Sequence, residues 1–179
     1  MLEQAGISFS AVPAGIDEDE VKNRLADPRM VALELARAKA LAVSRDRQKD
    51  WIIGSDSVVS VGNRRFGKPE SRTQAAEHLR IFSGRPMLLS SAVALARDGE
   101  LDWNHVETAR LQVRTLSEGF IESYLDSEWP EVGGCVGVFR MEGRGVQLFE
   151  AVDGSHFTIL GMPLIPLLTA LRERGLLAS

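Results

Sequence analysis

Trp51-Ile52-Ile53-Gly54-Ser55-Asp56-Ser57-Val58-Val59-Ser60-Val61 is the stretch that decides how this chain reads. A short run this rich in β-branched and aromatic residues reads as a buried strand. A carboxylate inside such a strand is costly, because an unpaired buried charge carries a large desolvation penalty. Asp56 therefore needs a reason. Either the strand opens into a pocket at that point, or the carboxylate coordinates a cation. Asn63, Arg64 and Arg65 follow, and then Gly67-Lys68-Pro69. One carboxylate and several cations thus fall on a single strand–turn–loop unit, an arrangement suited to holding a polyanion and a metal beside a base.

Working upstream, Asp27-Pro28 supplies an N-cap and a proline at the first helical position, and the helix it starts is expected to reach Ser44. Val31, Leu35, Ala38 and Ala42 mark one face at helical spacing. Lys39 lies in the C-terminal half of that helix. A lysine there is usually solvated and suits the helix dipole; the alternative is a ligand role. Before it, Pro13–Glu20 reads as an acidic connection holding Asp17, Glu18, Asp19 and Glu20, most of them a solvated charge run. Ile7–Val12 alternates well enough for a strand. Residues 1–5 look like the end of a helix stopped by Gly6.

Downstream, Ser71-Arg72-Thr73-Gln74 has capping-box spacing. Its helix carries Ala75, Leu79 and Phe82 inward, leaves His78 exposed and ends at Ser83-Gly84. Leu88–Arg97 reads as a strand, Asp98-Gly99 as a hairpin turn, and Leu101–Val113 as the returning strand with apolar Trp103, Val106, Leu111 and Val113. Ser117 caps a short helix with Phe120, Ile121, Tyr124 and Leu125 inward, ended by Trp129-Pro130. Val136–Met141 and Val146–Val152 are expected to form a closing hairpin across Glu142-Gly143-Arg144-Gly145. Glu142 at its lip either faces a ligand or stands in water. Pro163 opens the last helix, with Leu164, Leu167, Leu168 and Leu171 on one face and Gly175 as its stop.

The 179 residues suffice for one domain with a core and are too few for two comfortable ones. A net charge of −4 argues against nucleic-acid or anionic-membrane binding through a general positive field, so a phosphate ligand must be met by local cations. The single cysteine, Cys135, excludes an internal disulfide and fits a reducing cytoplasm. No apolar run approaches a membrane span, and MLEQAGISFS does not read as a secretion signal. His105 and His156 lack metal-ligand spacing. The common nucleotide loops, GxxxxGKS/T and GxGxxG, are absent, as is a GxSxG elbow. The pattern predicts a single α/β domain over 1–179, with one bent mixed sheet, partly antiparallel, flanked by helices.

GSDSVV at 54–59 resembles the GADTVV motif of the Maf family of nucleoside triphosphate pyrophosphatases, once described as septum-formation proteins. LARAKA at 35–40 resembles the family's LAxxKA, and GKP at 67–69 its GKP. Ser83-Gly84-Arg85 with Ser91 resembles its SGR…T segment. FRMEGRGVQLFE at 139–150 and ILGMPLIPLL at 159–168 resemble its closing hairpin and last helix start. The motifs fall in the family's order through most of the chain.

The resemblance implies a Maf/ITPase-like fold and hydrolysis of the α–β phosphoanhydride of a nucleoside triphosphate. Asp56 matches the catalytic proton acceptor, with Mg²⁺ or Mn²⁺ bridging a carboxylate, Asp56, and the phosphates. Lys39 and Lys68 match lysines implied in triphosphate binding. Ser57 stands where the family usually has threonine, at a specificity position. Asp17 matches an acidic position near the pocket, and Glu142 the specificity position on the closing hairpin. Glutamate there resembles the branch acting on 7-methyl-GTP, since a carboxylate accepts paired N–H donors from a guanine edge. A cytoplasmic location and a nucleotide partner follow, without nucleic acid or membrane; a homodimer is common for such folds. The alternative on the same fold is a non-catalytic nucleotide-binding regulator of cell division. The family normally opens with a strand and an SxSPRR loop. Met1–Gly6 resembles the end of the helix after that loop, so the first strand and phosphate-binding loop are expected to be absent here, through a misplaced start or a real loss.

Overall fold

Asp27 accepts a hydrogen bond from the Arg29 N–H at 2.9 Å and Pro28 takes the first helical position. In the computed structural model, which describes residues 1–178, helix α2 (Pro28–Asp46) therefore begins where the sequence places it. Its buried face is wider than the predicted stripe. Val31, Ala32, Leu35, Ala36 and Ala40 are fully enclosed, whereas Ala38 and Ala42 are only half-buried. The cause is the strand beside it, β1 (Ile52–Val61). A Cβ on Gly54 would lie 2.2 Å from the Ala36 carbonyl oxygen and 2.6 Å from the Ala40 nitrogen. Only glycine allows helix and strand to approach this closely.

The helix before it, α1 (Glu18–Arg24), corrects the reading of 13–20 as a connection. Asp17 caps it by accepting from Asp19 N–H at 3.0 Å and Glu20 N–H at 3.4 Å. Glu18, Asp19 and Glu20 fill the first turn and Lys22 and Arg24 the last, which complements the dipole. The acidic run is thus an N-terminus signal. Ile7–Val12 is not a strand. Its residues line a cavity instead of joining a ladder. Residues 1–6 form a helical turn closed by Gly6 at φ +77, with Ile7 N–H to Leu2 O at 3.0 Å and Gly6 N–H to Glu3 O at 2.9 Å.

The sheet has the order β2-β1-β3-β4-β5. Strand β2 (Arg64–Phe66) turns back on β1 through Gly62 at φ +57, pairing Val59 with Phe66 and Val61 with Arg64. The basic segment is thus partly strand. β3 (Pro86–Arg97) and β4 (Glu100–Val113) join through Asp98 at φ 53 and Gly99 at φ 81, the two left-handed residues a type I′ hairpin requires. β5 (Phe149–Asp153) pairs antiparallel with β4, Leu111 opposite Val152, with an irregularity at Gln112/Val113. The α/β class follows.

The predicted closing hairpin does not form; of its two arms only the end of the second is strand, within β5. Residues 131–134 and 144–148 are 3₁₀ turns, and Val138 sits at φ +56. A Cβ on Gly145 would lie 2.5 Å from Arg140 O and 2.6 Å from Arg140 N. The glycines fold this segment tightly on itself where extended pairing was expected. The Tyr124 hydroxyl donates to Val138 O at 2.9 Å and helps hold this backbone, which is unfavourable for a β-branched residue.

The described residues group into two compact units. One comprises Met1–Ser57, Ser90–Glu107 and the stretch from Ser155. Its core packs Val93 and Leu95 of β3 against Leu164, Leu167, Ala170 and Leu171 of α6 (Leu164–Glu173). Leu168 is only half-buried, and the short α5 (His156–Ile159) was not foreseen. The other comprises Val58–Leu89 and Thr108–Gly154. There α3 (Arg72–Phe82) packs on α4 (Glu118–Glu128), burying Leu79, Phe82, Ile121, Tyr124 and Leu125. Each such side chain stabilises by about 1.5–3 kcal/mol. The predicted caps are present: Ser71 accepts from Gln74 N–H and Ser117 from Phe120 N–H, both at 3.2 Å. His78 departs from expectation. It is half-buried against the rings of Phe66 and Phe82, and burial lowers its pKa.

Candidate active site

Side chains alternate across a strand, so Gly54 and Asp56 share one face of β1 while Ser55 and Ser57 share the other. Gly54 brings α2 close on its face, and one turn of α2 beyond Ala36 stands Lys39. Its ammonium donates to Asp56 Oδ1 at 2.6 Å and lies 2.8 Å from Glu18 Oε1. The Asp56 side chain keeps 14 % of its exposure and Lys39 keeps 24 %. The carboxylate that was costly in sequence is therefore paired and still reached by solvent.

Pairing and burial pull the Asp56 carboxyl in opposite directions. Burial dominates and raises its pKa, against the hydrogen bond and charge of Lys39; the Glu18 charge adds to the rise. For Lys39, burial alone would lower the pKa, but hydrogen bonds to Asp56 and Glu18 outweigh it and hold the ammonium above its ordinary value. Glu18 is brought down to about 2, chiefly by hydrogen bonds from Lys22 and Lys39. The cluster is thus two carboxylates on one ammonium, of which Asp56 is the more basic.

Glu18 is the residue that sequence reasoning missed at this point. The neighbouring Asp17 was singled out, and the structure gives that side chain to the cap of α1. The signal was present: once Asp17 is recognised as the N-cap, Glu18 becomes the first helical residue. Ser57, on the opposite face, bonds Ser91 Oγ at 2.8 Å and Gly161 O at 3.1 Å. Lys68 and Glu142 belong to the second unit, where both are exposed. Lys68 follows β2, and Glu142 lies in a turn before a 3₁₀ segment, not on a hairpin lip.

A cavity of about 920 Å³ adjoins the cluster. Lys39 and Ser55 line it, with Trp51, Phe9 and Met162 among its apolar walls; Asp56 does not. The guanidinium groups of Arg97 and Arg174 lie over the Trp51 ring, 5.5 and 5.8 Å from its centroid. Among the described residues no group of three or more His, Cys, Asp or Glu side chains is arranged to hold a metal ion, and no helix is long and apolar enough to cross a membrane.

An α/β sheet that presents a paired, solvent-reached aspartate beside a lysine fits a phosphate-handling protein. A family model described as Maf-like protein matches residues 1–174, and the chain belongs to that family. Among its relatives is the 7-methyl-GTP pyrophosphatase of Rhizobium meliloti (strain 1021), 46 % identical over 179 residues that span 98 % of this chain and 90 % of that protein. The nucleoside triphosphate pyrophosphatase of Nitrobacter hamburgensis is 44 % identical over 180 residues, 99 % of this chain and 89 % of that protein. A second 7-methyl-GTP pyrophosphatase, from Rhizobium etli, is 46 % identical over 179 residues, 98 % of this chain and 90 % of its own length.

Proposed function

We propose that this protein is a nucleoside triphosphate pyrophosphatase, cleaving non-standard or modified nucleotides, 7-methyl-GTP among them, to the nucleoside monophosphate and pyrophosphate. The observation that carries the reading is the 2.6 Å contact between Lys39 and an Asp56 whose side chain keeps 14 % exposure. The relatives that are 7-methyl-GTP and nucleoside triphosphate pyrophosphatases support the reaction and the substrate class.

Water attacks the α-phosphorus, the bond to the bridging oxygen of the β-phosphate breaks, and pyrophosphate leaves. Asp56 takes the proton that water gives up. Its raised pKa suits it to that role, because a stronger base accepts a proton more readily. Lys39 has three N–H donors. Two engage Glu18 and Asp56, and the third remains for a phosphate oxygen. Asp56 and Glu18 are hard oxygen donors, and Mg²⁺ is commonly held by one or two carboxylates plus substrate phosphates. These two residues therefore fit a divalent cation bound together with substrate, which when present would neutralise phosphate charge. On the resemblance alone, Lys68 is assigned to the triphosphate, and Ser57 and Glu142 to base selection. The reading includes a cytoplasmic location and a homodimer, with no nucleic-acid or membrane partner. Retention of the Asp56–Lys39 contact favours an enzyme over a non-catalytic regulator.

The test is pyrophosphate release across a panel of standard and modified triphosphates, 7-methyl-GTP included. Asp56→Asn should lower turnover by about 10²–10⁴-fold, the usual worth of a general base. The acid limb of kcat/KM should lie above the ordinary aspartate value, because burial raises the carboxyl. Absence of turnover on every triphosphate would sink the reading.

A further inference from the structure

Ser55 and Ser57 flank the aspartate and point away from it, toward the segment between α5 and α6. Both hydroxyls lie 3.1 Å from a single acceptor, Gly161 O. Ser57 Oγ also lies 2.8 Å from Ser91 Oγ on β3, and Ser91 Oγ lies 2.7 Å from Thr158 O. Ser91 and Thr158 are fully enclosed. Thr158 in turn donates its side-chain hydroxyl to Glu107 on β4. A hydroxyl carries one proton. Three serine protons must therefore be shared among four contacts. Two assignments satisfy both carbonyls and use each proton once: in each, Ser55 donates to Gly161 O and Ser91 to Thr158 O, while Ser57 donates to Gly161 O in one and to Ser91 Oγ in the other. Buried polar networks of this kind fix a single geometry when every member is satisfied.

The network joins β1 on both sides of position 56 to one turn. Gly161 is at φ +104, in backbone that other residues avoid, and an added Cβ would lie 3.5 Å from Ser57 Oγ. Gly54 fixes the other face of the same strand against α2. With both faces packed as well as both edges paired, the strand has little freedom to twist at position 56 and carry the carboxylate away from Lys39. We propose that Ser55, Ser57 and Ser91 form a latch whose role is to set the direction of the Asp56 carboxylate, making them positioning residues for the proton acceptor. Ser55 is the telling member, because the GADTVV motif that this stretch resembles has alanine there. Ser55 places a second hydroxyl within 3.1 Å of Gly161 O, beside that of Ser57.

The inference rests on the pyrophosphatase reading, and its test separates the two. Ser55→Ala, Ser91→Ala and the double variant are assayed for pyrophosphate release beside Asp56→Asn, with thermal unfolding as a control on folding. Single variants should lose about 3–10-fold in kcat, with KM within twofold and more loss in the double, as for a group that acts through another. The acid limb should move down toward the ordinary aspartate value, because a loosened carboxylate is better hydrated. Wild-type kcat and acid limb in Ser55→Ala and the double variant, with Asp56→Asn inactive, would overturn the latch and leave the pyrophosphatase standing. Full turnover by Asp56→Asn would overturn both, since no acceptor would remain to be positioned.

Discussion

Lys39 lies between Glu18 and Asp56 at 2.8 and 2.6 Å, and Arg72 lies between Glu122 and Asp126 at 2.8 and 2.7 Å. On paper these are the same object, one cation and two carboxylates. Burial separates them. Around Lys39 the side-chain exposures are 24, 38 and 14 %; around Arg72 they are 36, 49 and 73 %. In the first cluster burial outweighs pairing and raises Asp56. In the second, the Arg72 guanidinium is raised first by its hydrogen bond to Glu122, and water screens the whole group. Charge at a contact distance does not make a site. A carboxylate whose basicity the fold has altered is the better mark of one.

The comparison breaks most completely at Gly54, which lets the first cluster be buried at all. Gly54→Ala drives a methyl group onto the Ala36 and Ala40 backbone, and should destabilise by at least about 3 kcal/mol in denaturant unfolding, at the upper end for overpacking. Next, Lys39→Met leaves Asp56 buried without its cation. The expected loss is about 2 kcal/mol, the scale of a hydrogen bond between charged groups. Asp56 has a folded pKa above its unfolded one, so its ionised form opposes folding. Removing Lys39 strengthens that opposition. The deficit should be full above the folded pKa and shrink as pH falls through it, which unfolding at pH 8 and pH 4 would reveal.

Glu18→Gln sharpens the same contrast with the opposite sign. The folded pKa of Glu18, about 2, is below its ordinary 4.5. Its contribution is therefore present above pH 4.5 and disappears as pH falls toward 2. The variant should melt below the wild type at pH 6, and the two curves should converge in acid. The smallest effect is expected at the second cluster. Arg72→Ala and Arg80→Ala should leave the melting temperature unchanged at physiological salt, because these pairs stand in water. A shift as large as that of Lys39→Met would show that exposure does not divide the clusters as described.

Local signals were legible wherever one residue decides a conformation. Asp27-Pro28, Ser71, Ser117 and Asp98-Gly99 each appear in the structure where the sequence put them. The same chemistry at Asp17 was masked by the acidic residues after it, which read as a connection, and helix α1 was lost with it. The expected strand at 7–12 and hairpin at 136–152 failed for another reason. Alternation shows that a segment has two faces, but a strand also needs a partner in register. Residues 7–12 line a cavity, while Gly137 and Gly145 close the later segment on itself. Within the site, Asp56 and Lys39 were both named from sequence, and their contact was not. Glu18 was passed over for its neighbour, and Ser57 was read for ligand binding without its bonds to Ser91 and Gly161.

The order of residues by itself determined the capped helices, the tight turn at Asp98-Gly99 and the anomaly of a carboxylate in an apolar strand, because each rests on the intrinsic preferences of a few adjacent residues. The tertiary structure alone decided what that carboxylate meets. Lys39 stands 17 residues before Asp56 in the chain and Gly161 stands 106 after Ser55. Only the close approach of α2 over Gly54, and the turn beyond α5 on the other face, bring those partners within a hydrogen bond.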